Sequence, residues 1–226
     1  MTEWTVDQVD QPQLWEIILG RMREAVLSGQ LPAGSRLVER DLAARFGTSR
    51  GPIRDAIREL AREGLAVETP RRGTVVSTLT ARDLTEVYLV RESLEAGACR
   101  AIIRGAATDE IQRLSAHLDA FDDAWSRGAS FVEAAEHDVA FHRALVSLTG
   151  NRRLIAVYEQ MLNTTVLLLR TAAEASSGLR VEIEPWVHRA ILDALLARDA
   201  DRVQAAVAEH YRVAEDRLFG LAGEAA

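Results

Sequence analysis

The sequence is poor in cysteine, lysine and aromatic residues, and the shortages of cysteine and aromatic residues bear on the class of protein. Cys99 is the single cysteine, so a disulfide framework is excluded and a reducing compartment is expected. Aromatic residues make up only 5% of a chain that is 48% hydrophobic, which favours helices over a β-sandwich. All 27 basic residues are Arg, which we attribute mainly to genome composition.

Long hydrophobic runs and a signal peptide are also missing. No apolar run approaches the roughly 20 residues that a helix needs to cross a bilayer. The N-terminus opens with Glu3 and Asp7, and no basic stretch leads into an apolar run. We therefore expect a cytoplasmic protein with no membrane partner.

The net charge of −7 argues against nucleic-acid binding only when it is averaged over the whole chain. Residues 1–78 carry 11 Arg and 11 acidic residues, whereas the remainder carries 16 Arg and 23 acidic residues. Residues 36–73 alone carry nine Arg against six acidic residues. A local positive charge within an acidic protein is typical of a DNA-binding module attached to another domain.

Periodicity and turn residues predict a different architecture for each half. The first half alternates helical spacing with two short β-like runs, at about 13–28, 39–46, 49–63, 65–69 and 74–77. Thr48 or Ser49 is placed to cap the third helix, and Pro52 lies in its first turn, where proline is tolerated. Helix, helix, helix, hairpin is the order of a winged helix-turn-helix.

The second half predicts helices only, at about 81–104, 108–127, 130–148, 151–172, 182–198 and 200–219. Their short connections favour an antiparallel bundle. The predicted fold is therefore mainly α, with a winged helix-turn-helix DNA-binding domain at 1–78 and an all-helical domain at 79–226.

Arginines at the start of the third helix are the candidate base-reading residues. The N-terminal residues of a recognition helix meet base edges in the major groove, and Arg50 and Arg54 lie four residues apart on one face. Arg40 on the preceding helix and Arg72 in the hairpin turn are candidates for backbone or minor-groove contacts. The alternative is that these arginines are solvated and form ordinary ion pairs with Glu39, Asp55 and Glu59.

The same segment resembles the DNA-binding domain of the GntR family. The resemblance rests on Leu-Pro-Ala-Gly-Ser-Arg-Leu from Leu31, on Ser-Arg-Gly-Pro-Ile-Arg-Asp-Ala-Ile-Arg-Glu-Leu from Ser49, and on Arg-Arg-Gly-Thr-Val-Val from Arg71. It implies that the family's DNA-contacting positions fall on Arg40, Arg50, Pro52, Arg54 and Gly73. Gly51 departs from the small polar residue often found there.

Four residues of the second half have metal-ligand spacing. Asp138 and His142 are four residues apart on one predicted helix, so one ion can bridge them. His188 and His210 lie on the last two predicted helices, and a hairpin between those helices brings the two imidazoles level. One carboxylate and three imidazoles suit zinc, nickel or another borderline divalent ion. Each pair taken alone is also consistent with ordinary side-chain pairing.

The segment from Leu79 to Leu218 resembles the C-terminal ligand-binding domain, the FCD domain, of the FadR subfamily. The resemblance rests on Tyr88-x-x-Arg91-x-x-Leu94-Glu95, on Asp138-x-x-x-His142, on His188-Arg-Ala-Ile and on His210. It implies the metal-binding branch, with Asp138, His142, His188 and His210 as ligands and zinc as the expected ion. It also implies homodimers that bind pseudo-palindromic operators, respond to small organic acids and more often repress than activate.

Arg91 is the candidate for gripping the effector's carboxylate, since the family has Arg there. The alternative is a helix-surface pair with Glu95. Asn163 is a second candidate effector contact, but its place in an apolar helix favours the alternative of a satisfied buried amide. Cys99 on an Ala-rich helix is expected to be a small buried hydrophobe.

Three functions fit these residues. The leading hypothesis is a transcriptional regulator, not an enzyme, whose operator affinity is controlled by an organic acid bound at the metal. A metalloenzyme is the first alternative, because an ion with open positions polarises carbonyls or activates water. A purely structural metal with constitutive DNA binding is the second.

Overall fold

The computed structural model describes residues 14–129, 131–175 and 185–224. The chain divides into two compact units, Met1–Ser77 and Thr78–Ala226. No helix in the described ranges is both long enough and apolar enough to traverse a bilayer.

The first unit has three helices followed by a β-hairpin, as predicted. Its elements are α1 (Leu14–Leu27), α2 (Glu39–Phe46), α3 (Arg50–Arg62), β1 (Ala66–Thr69) and β2 (Gly73–Val76). The two strands are antiparallel and pair Ala66 with Val76 and Thr69 with Gly73. A winged helix-turn-helix is therefore confirmed for this unit.

Helix α3 lies at the centre of this unit and packs against α1, α2 and β1. Ile53, Ile57 and Leu60 form its buried stripe, and Met22 of α1 is fully buried beside them in the same core. Burying a side chain of this size contributes roughly 1.5–3 kcal/mol. The opposite face of α3 is left exposed and carries its arginines.

The predicted side-chain cap of α3 is wrong. Ser49 is the N-cap residue, but its hydroxyl makes no capping hydrogen bond. A capping oxygen accepts from the backbone N–H of the second or third helical residue. The third residue here is Pro52, which has no N–H to donate.

The second unit is helical throughout its described residues. Its elements are α4 (Ala81–Gly105), α5 (Thr108–Gln112), α6 (Ser115–Ser126), α7 (Phe131–Ser147), α8 (Arg152–Ala175), α9 (Pro185–Leu196) and α10 (Ala200–Glu224). The expectation of one continuous helix over 108–127 is wrong, because α5 ends at Gln112 and α6 begins only at Ser115. Around Leu114 the backbone amides bond to the third residue back, as Leu114 does to Ile111, which tightens and interrupts the α-helix.

Helix α4 is the central element of the bundle and packs against α7, α8 and α10. It begins in a capping box between Thr80 and Asp83. At its other end, Arg198 donates hydrogen bonds to the carbonyls of Ile103 (2.9 Å) and Ala106 (2.7 Å). Helix α9 packs against both α6 and α10. This arrangement places the inner faces of α4, α7, α9 and α10 around one buried region.

Candidate metal centre and nucleic-acid interface

Four predicted ligands meet inside the second unit. Asp138, His142, His188 and His210 each offer one ligand atom, and these atoms lie within 4.8 Å of one another. Helix α7 supplies the first two residues, one turn apart, while α9 and α10 supply the histidines that the hairpin arrangement was expected to bring level. The rings of His188 and His210 have centroids 4.5 Å apart.

The helices that carry these residues are held in place by their neighbours. Next to His188 on α9, Arg189 donates a hydrogen bond to Asp119 of α6 at 2.9 Å. The His188 ring packs edge-on against Phe141 of α7, with centroids 5.3 Å apart, and in a tilted orientation against Phe121 of α6, with centroids 5.7 Å apart. The aromatic packing restricts the ring's rotation before any ligand is bound.

The donor set fits a divalent transition metal. Asp138 Oδ1 lies 2.8 Å from His188 Nε2 and 3.6 Å from His142 Nε2. Donors sharing one ion with bonds of about 2.0–2.2 Å are separated by similar distances. Within the described residues, His142 Nε2 is buried, lies toward Asp138 and has no hydrogen-bond partner. Buried polar atoms are rarely left unpaired, so this orphaned nitrogen indicates a place for an ion.

The charges around the cluster are strongly coupled. Burial opposes the charged form of His142, but the carboxylates of Glu95 and Asp138 outweigh it and raise the pKa of His142 to about 9. Burial likewise opposes ionisation of Asp138, yet His142 and His188 hold its pKa well below the usual range. Burial and the neighbouring imidazoles lower the pKa of His210 well below 6.5. In the metal-free protein His142 therefore carries a proton that an ion would displace, while His210 already has a free lone pair.

A buried carboxylate lies directly behind the cluster. Glu95 of α4 is fully buried and lies 2.9 Å from Nδ1 of His142 through its Oε2. Its other oxygen accepts hydrogen bonds from the hydroxyls of Tyr158 and Tyr211. Burial raises the pKa of both phenols well above 10, so both remain protonated donors. Glu95 thus joins residues of α7, α8 and α10 to α4.

Arg91 lies one turn before Glu95 and is also buried, with 2% of the side chain exposed. Its guanidinium donates to Tyr158 at 3.1 Å and to Thr165 at 3.4 Å, and Nη2 lies 3.6 Å from Glu95. The guanidinium carbon also lies 5.4 Å from the Tyr211 ring centre, within range of a cation–π contact. The expectation of a helix-surface pair with Glu95 is wrong, because the pair lies in the protein interior.

The remaining residues singled out from the sequence lie apart from this cluster. Asn163 is half-buried on α8, and none of the hydrogen bonds around Arg91 among the described residues involves it. Thr165, which does contact Arg91, lies about 200° around α8 from Asn163. His137 is not among the four clustered residues. Cys99 is buried, as predicted.

The exposed face of α3 carries the candidate base-reading residues. Arg50 is the first residue of α3, is exposed and forms no ion pair within the described residues, whereas Pro52 is half-buried. Arg54 donates two hydrogen bonds to Glu39 of α2, at 2.8 and 2.9 Å. A phosphate or base must therefore compete with Glu39 for Arg54, while Arg50 is available without such competition.

The candidate backbone-contacting residues lie on α2 and in the hairpin turn. Arg40 is exposed and pairs with its neighbour Asp41 at 3.0 Å. Arg72 and Gly73 are exposed where β1 turns into β2. Gly73 has a φ of +74°, which disfavours a side chain at this position. The turn therefore presents Arg72 from a sharply bent backbone.

The sequence alone does not predict which residues surround the cluster. Glu95 is expected there only as part of the family pattern and as a partner of Arg91, and nothing points to Tyr158, Tyr211 or Thr165. The signal for Glu95 was its position in the Tyr88-x-x-Arg91-x-x-Leu94-Glu95 pattern, one turn after Arg91. No local pattern marks the two tyrosines, whose partner lies 63 and 116 residues away along the chain.

Two family profiles match the two units. The profile described as "Bacterial regulatory proteins, gntR family" matches residues 16–76, and the profile of the FCD domain matches residues 86–213. The candidate DNA-contacting residues fall within the first match, and the four clustered ligands fall within the second. Both profiles describe regulatory proteins rather than enzymes.

Curated relatives align with most of the chain. A Paraburkholderia xenovorans protein named "Uncharacterized HTH-type transcriptional regulator BphR" is 31% identical, with 92% of this chain and 87% of that protein covered. A Paenarthrobacter nicotinovorans protein named "Probable D-xylose utilization operon transcriptional repressor" is also 31% identical, with 82% and 80% covered.

Solved structures share the fold. Escherichia coli McbR/YncC matches with a TM-score of 0.74 and 21% identity, covering 93% of this chain and 99% of that one. A GntR transcriptional regulator from Rhodococcus sp. RHA1 matches with a TM-score of 0.73 and 24% identity, covering 92% and 99%. At these identities the matches establish the fold alone.

Proposed function

The chain belongs to the GntR family of bacterial transcriptional regulators and carries an FCD domain, and from this premise we propose that a small organic acid, bound at a divalent metal ion, controls its affinity for operator DNA. Members of this family bind DNA operators, and FCD domains bind small-molecule effectors. The winged helix-turn-helix of residues 1–78 reads the operator, and residues 79–226 hold the ion and the effector. Zinc is the proposed ion, with nickel as the second candidate.

The observation that carries this proposal is the interior cluster of Asp138, His142, His188 and His210, whose ligand atoms lie within 4.8 Å of one another. Four protein ligands fill a tetrahedral zinc site, so the effector's carboxylate would bind the ion by expanding its coordination to five or more ligands. When bound, the ion supplies a concentrated positive charge at the centre of the bundle. The four side chains hold it, and Glu95 and Tyr158 support them from behind.

The balance of charge favours an anionic effector. Around the ion lie two carboxylates, those of Asp138 and Glu95, and one guanidinium, that of Arg91, all buried or nearly so. With a divalent ion these groups leave one positive charge uncompensated among the described residues. An unpaired charge in the protein interior is costly, and the carboxylate of an organic acid neutralises it. Arg91 and Asn163 remain the proposed effector contacts.

On DNA, Arg50 and Arg54 are the proposed base-reading residues, with Pro52 beside them in the first turn of α3. Arg40, Arg72 and Gly73 are the proposed contacts to the sugar-phosphate backbone. A homodimer on a pseudo-palindromic operator is carried over from the family resemblance, and repression is the proposed outcome of binding. Sedimentation of the protein with one operator duplex measures the number of copies bound.

A thermal-shift screen of the zinc-loaded protein against mono-, di- and hydroxycarboxylates tests the proposal. We expect one chemical class to stabilise the protein and to change its affinity for a duplex selected from random DNA. His188→Ala removes one clustered ligand and should abolish both effects. His137→Ala is the matched control, because His137 neighbours Asp138 but lies outside the cluster.

The purely structural metal is the alternative that this experiment separates. In that case chelation lowers stability, no acid raises it, and operator affinity is the same with and without every acid of the panel. That set of results would overturn the proposal of effector control while leaving the metal site in place.

A further inference from the structure

Glu95 is not one of the four clustered ligands, but it contacts one of them and the buried side chains around them. It is fully buried in α4, and both of its oxygens are occupied. Oε2 lies 2.9 Å from Nδ1 of His142, and Oε1 accepts from the hydroxyls of Tyr158 and Tyr211. A buried carboxylate with three donors is held in one orientation.

The contact to His142 determines which nitrogen of that ring is available to an ion. An ionised carboxylate only accepts hydrogen bonds, so the proton of the neutral imidazole lies on Nδ1. The lone pair then lies on Nε2, which is buried, has no hydrogen-bond partner among the described residues and lies 3.6 Å from Asp138 Oδ1. The hydrogen bond also fixes the direction in which the ring presents Nε2.

We propose that Glu95 is the positioning residue of the metal centre: it does not touch the ion, but it fixes the tautomer and orientation of His142 so that Nε2 coordinates. This inference rests on the proposed function, since it requires that the cluster binds a metal. A carboxylate behind a histidine ligand also raises the basicity of that ligand, and removing such a partner commonly weakens metal binding about 10- to 100-fold.

The same carboxylate connects the metal centre to Arg91. Arg91 Nη2 lies 3.6 Å from Glu95 Oε1, and Tyr158 contacts both side chains. A shift of the Glu95 side chain therefore alters its contact with His142 on one side and its contact with Arg91 on the other. Glu95 is thus placed to make metal binding and effector binding interdependent.

Competition between the protein and a chromophoric chelator for Zn²⁺ alone tests the inference without any effector or DNA. Glu95→Gln preserves the shape of the side chain but removes its charge, and it presents an NH₂ group to one of the two sets of donors. We expect zinc affinity to fall about 10- to 100-fold. Glu92→Gln is the matched control, because Glu92 lies on the same helix, is only half-buried and forms no ion pair or hydrogen bond among the described residues.

Nitrogen-15 NMR of the histidine rings provides a readout that a merely structural role of Glu95 would not move. In the zinc-loaded wild-type protein we expect His142 to carry its proton on Nδ1 and to coordinate through Nε2. Coordination through Nδ1 would overturn the inference, and this measurement needs no variant, so a folding defect of Glu95→Gln does not affect it. Circular dichroism of metal-free Glu95→Gln identifies such a defect.

The outcomes distinguish this inference from the proposed function. If the wild-type protein binds no zinc, nickel or other divalent ion, the proposal of a metal centre is wrong. If the wild-type protein binds zinc and folded Glu95→Gln binds it with the same affinity, the cluster stands and the role of Glu95 is wrong. Weaker binding in Glu95→Gln together with Nε2 coordination in the wild type supports both.

Discussion

Removing the metal should destabilise the second unit without unfolding it. The cluster leaves His142 Nε2 buried without a hydrogen-bond partner in the described residues, so an ion that binds this nitrogen stabilises the folded protein. Unfolding is resisted in the metal-free state because His142, whose pKa is raised to about 9, carries a positive charge between Glu95 and Asp138. That imidazolium partly replaces the ion's charge.

The magnitude follows from binding linkage. An ion present at 100 times its dissociation constant stabilises the folded state by about 2.7 kcal/mol. For a unit of about 150 residues, such as Thr78–Ala226, each kcal/mol shifts the melting temperature by about 2–4 °C. Chelation should therefore lower the melting temperature by about 5–11 °C, and the shift should grow with the metal concentration used before chelation.

The assay is calorimetry of the protein before and after chelation, with elemental analysis to count the ion. We expect about one ion per chain and recovery of the melting temperature when zinc is returned. His188→Ala should show no response to zinc, whereas His137→Ala should respond as the wild type does. An unchanged melting temperature after verified removal of all metal would refute the reasoning.

Three further predictions concern DNA binding, pH and the thiol. Arg50→Ala should lose about 1–3 kcal/mol of preference for the selected operator over random DNA. Arg72→Ala should weaken binding to the operator and to random DNA alike and should reduce the salt dependence by about one counterion. Fluorescence anisotropy measures the affinities of the two variants, and identical behaviour would contradict the assignments. Zinc affinity should rise as the pH increases from 6 to 9, because the ion must displace the proton that His142 holds below a pKa of about 9; a competition titration giving a flat profile would contradict this. Cys99 should not react with a thiol reagent until the protein unfolds, because burial raises its pKa; rapid modification of the folded protein would show that it is accessible.

Features that depend on neighbouring residues were predictable from the sequence. The bounds of α2 were predicted to the residue, because Gly47 ends the helix in the left-handed conformation, with a φ of +63°. The spacing of Asp138 and His142 placed both on one face of α7. His188 and His210 are 22 positions apart, a spacing that predicts level rings across a hairpin, and the structure places their centroids 4.5 Å apart.

Features that depend on distant contacts were not predictable. The break between α5 and α6 has no Gly or Pro to mark it, since Arg113 and Leu114 are both good helix formers. The burial of Arg91 could not be inferred from α4 alone, because the residues that accept its hydrogen bonds, Tyr158 and Thr165, lie 67 and 74 positions away on α8. The role of Glu95 likewise emerges only when α4, α7, α8 and α10 are packed together.

The most direct test of effector control is the operator affinity of the zinc-loaded protein with and without the organic acid that stabilises it. We expect a change of at least about fivefold, the lower end of typical coupling between two sites. The change should be absent in His188→Ala and in the chelated wild-type protein. Equal operator affinity with and without an acid that demonstrably binds at the metal would contradict the central claim.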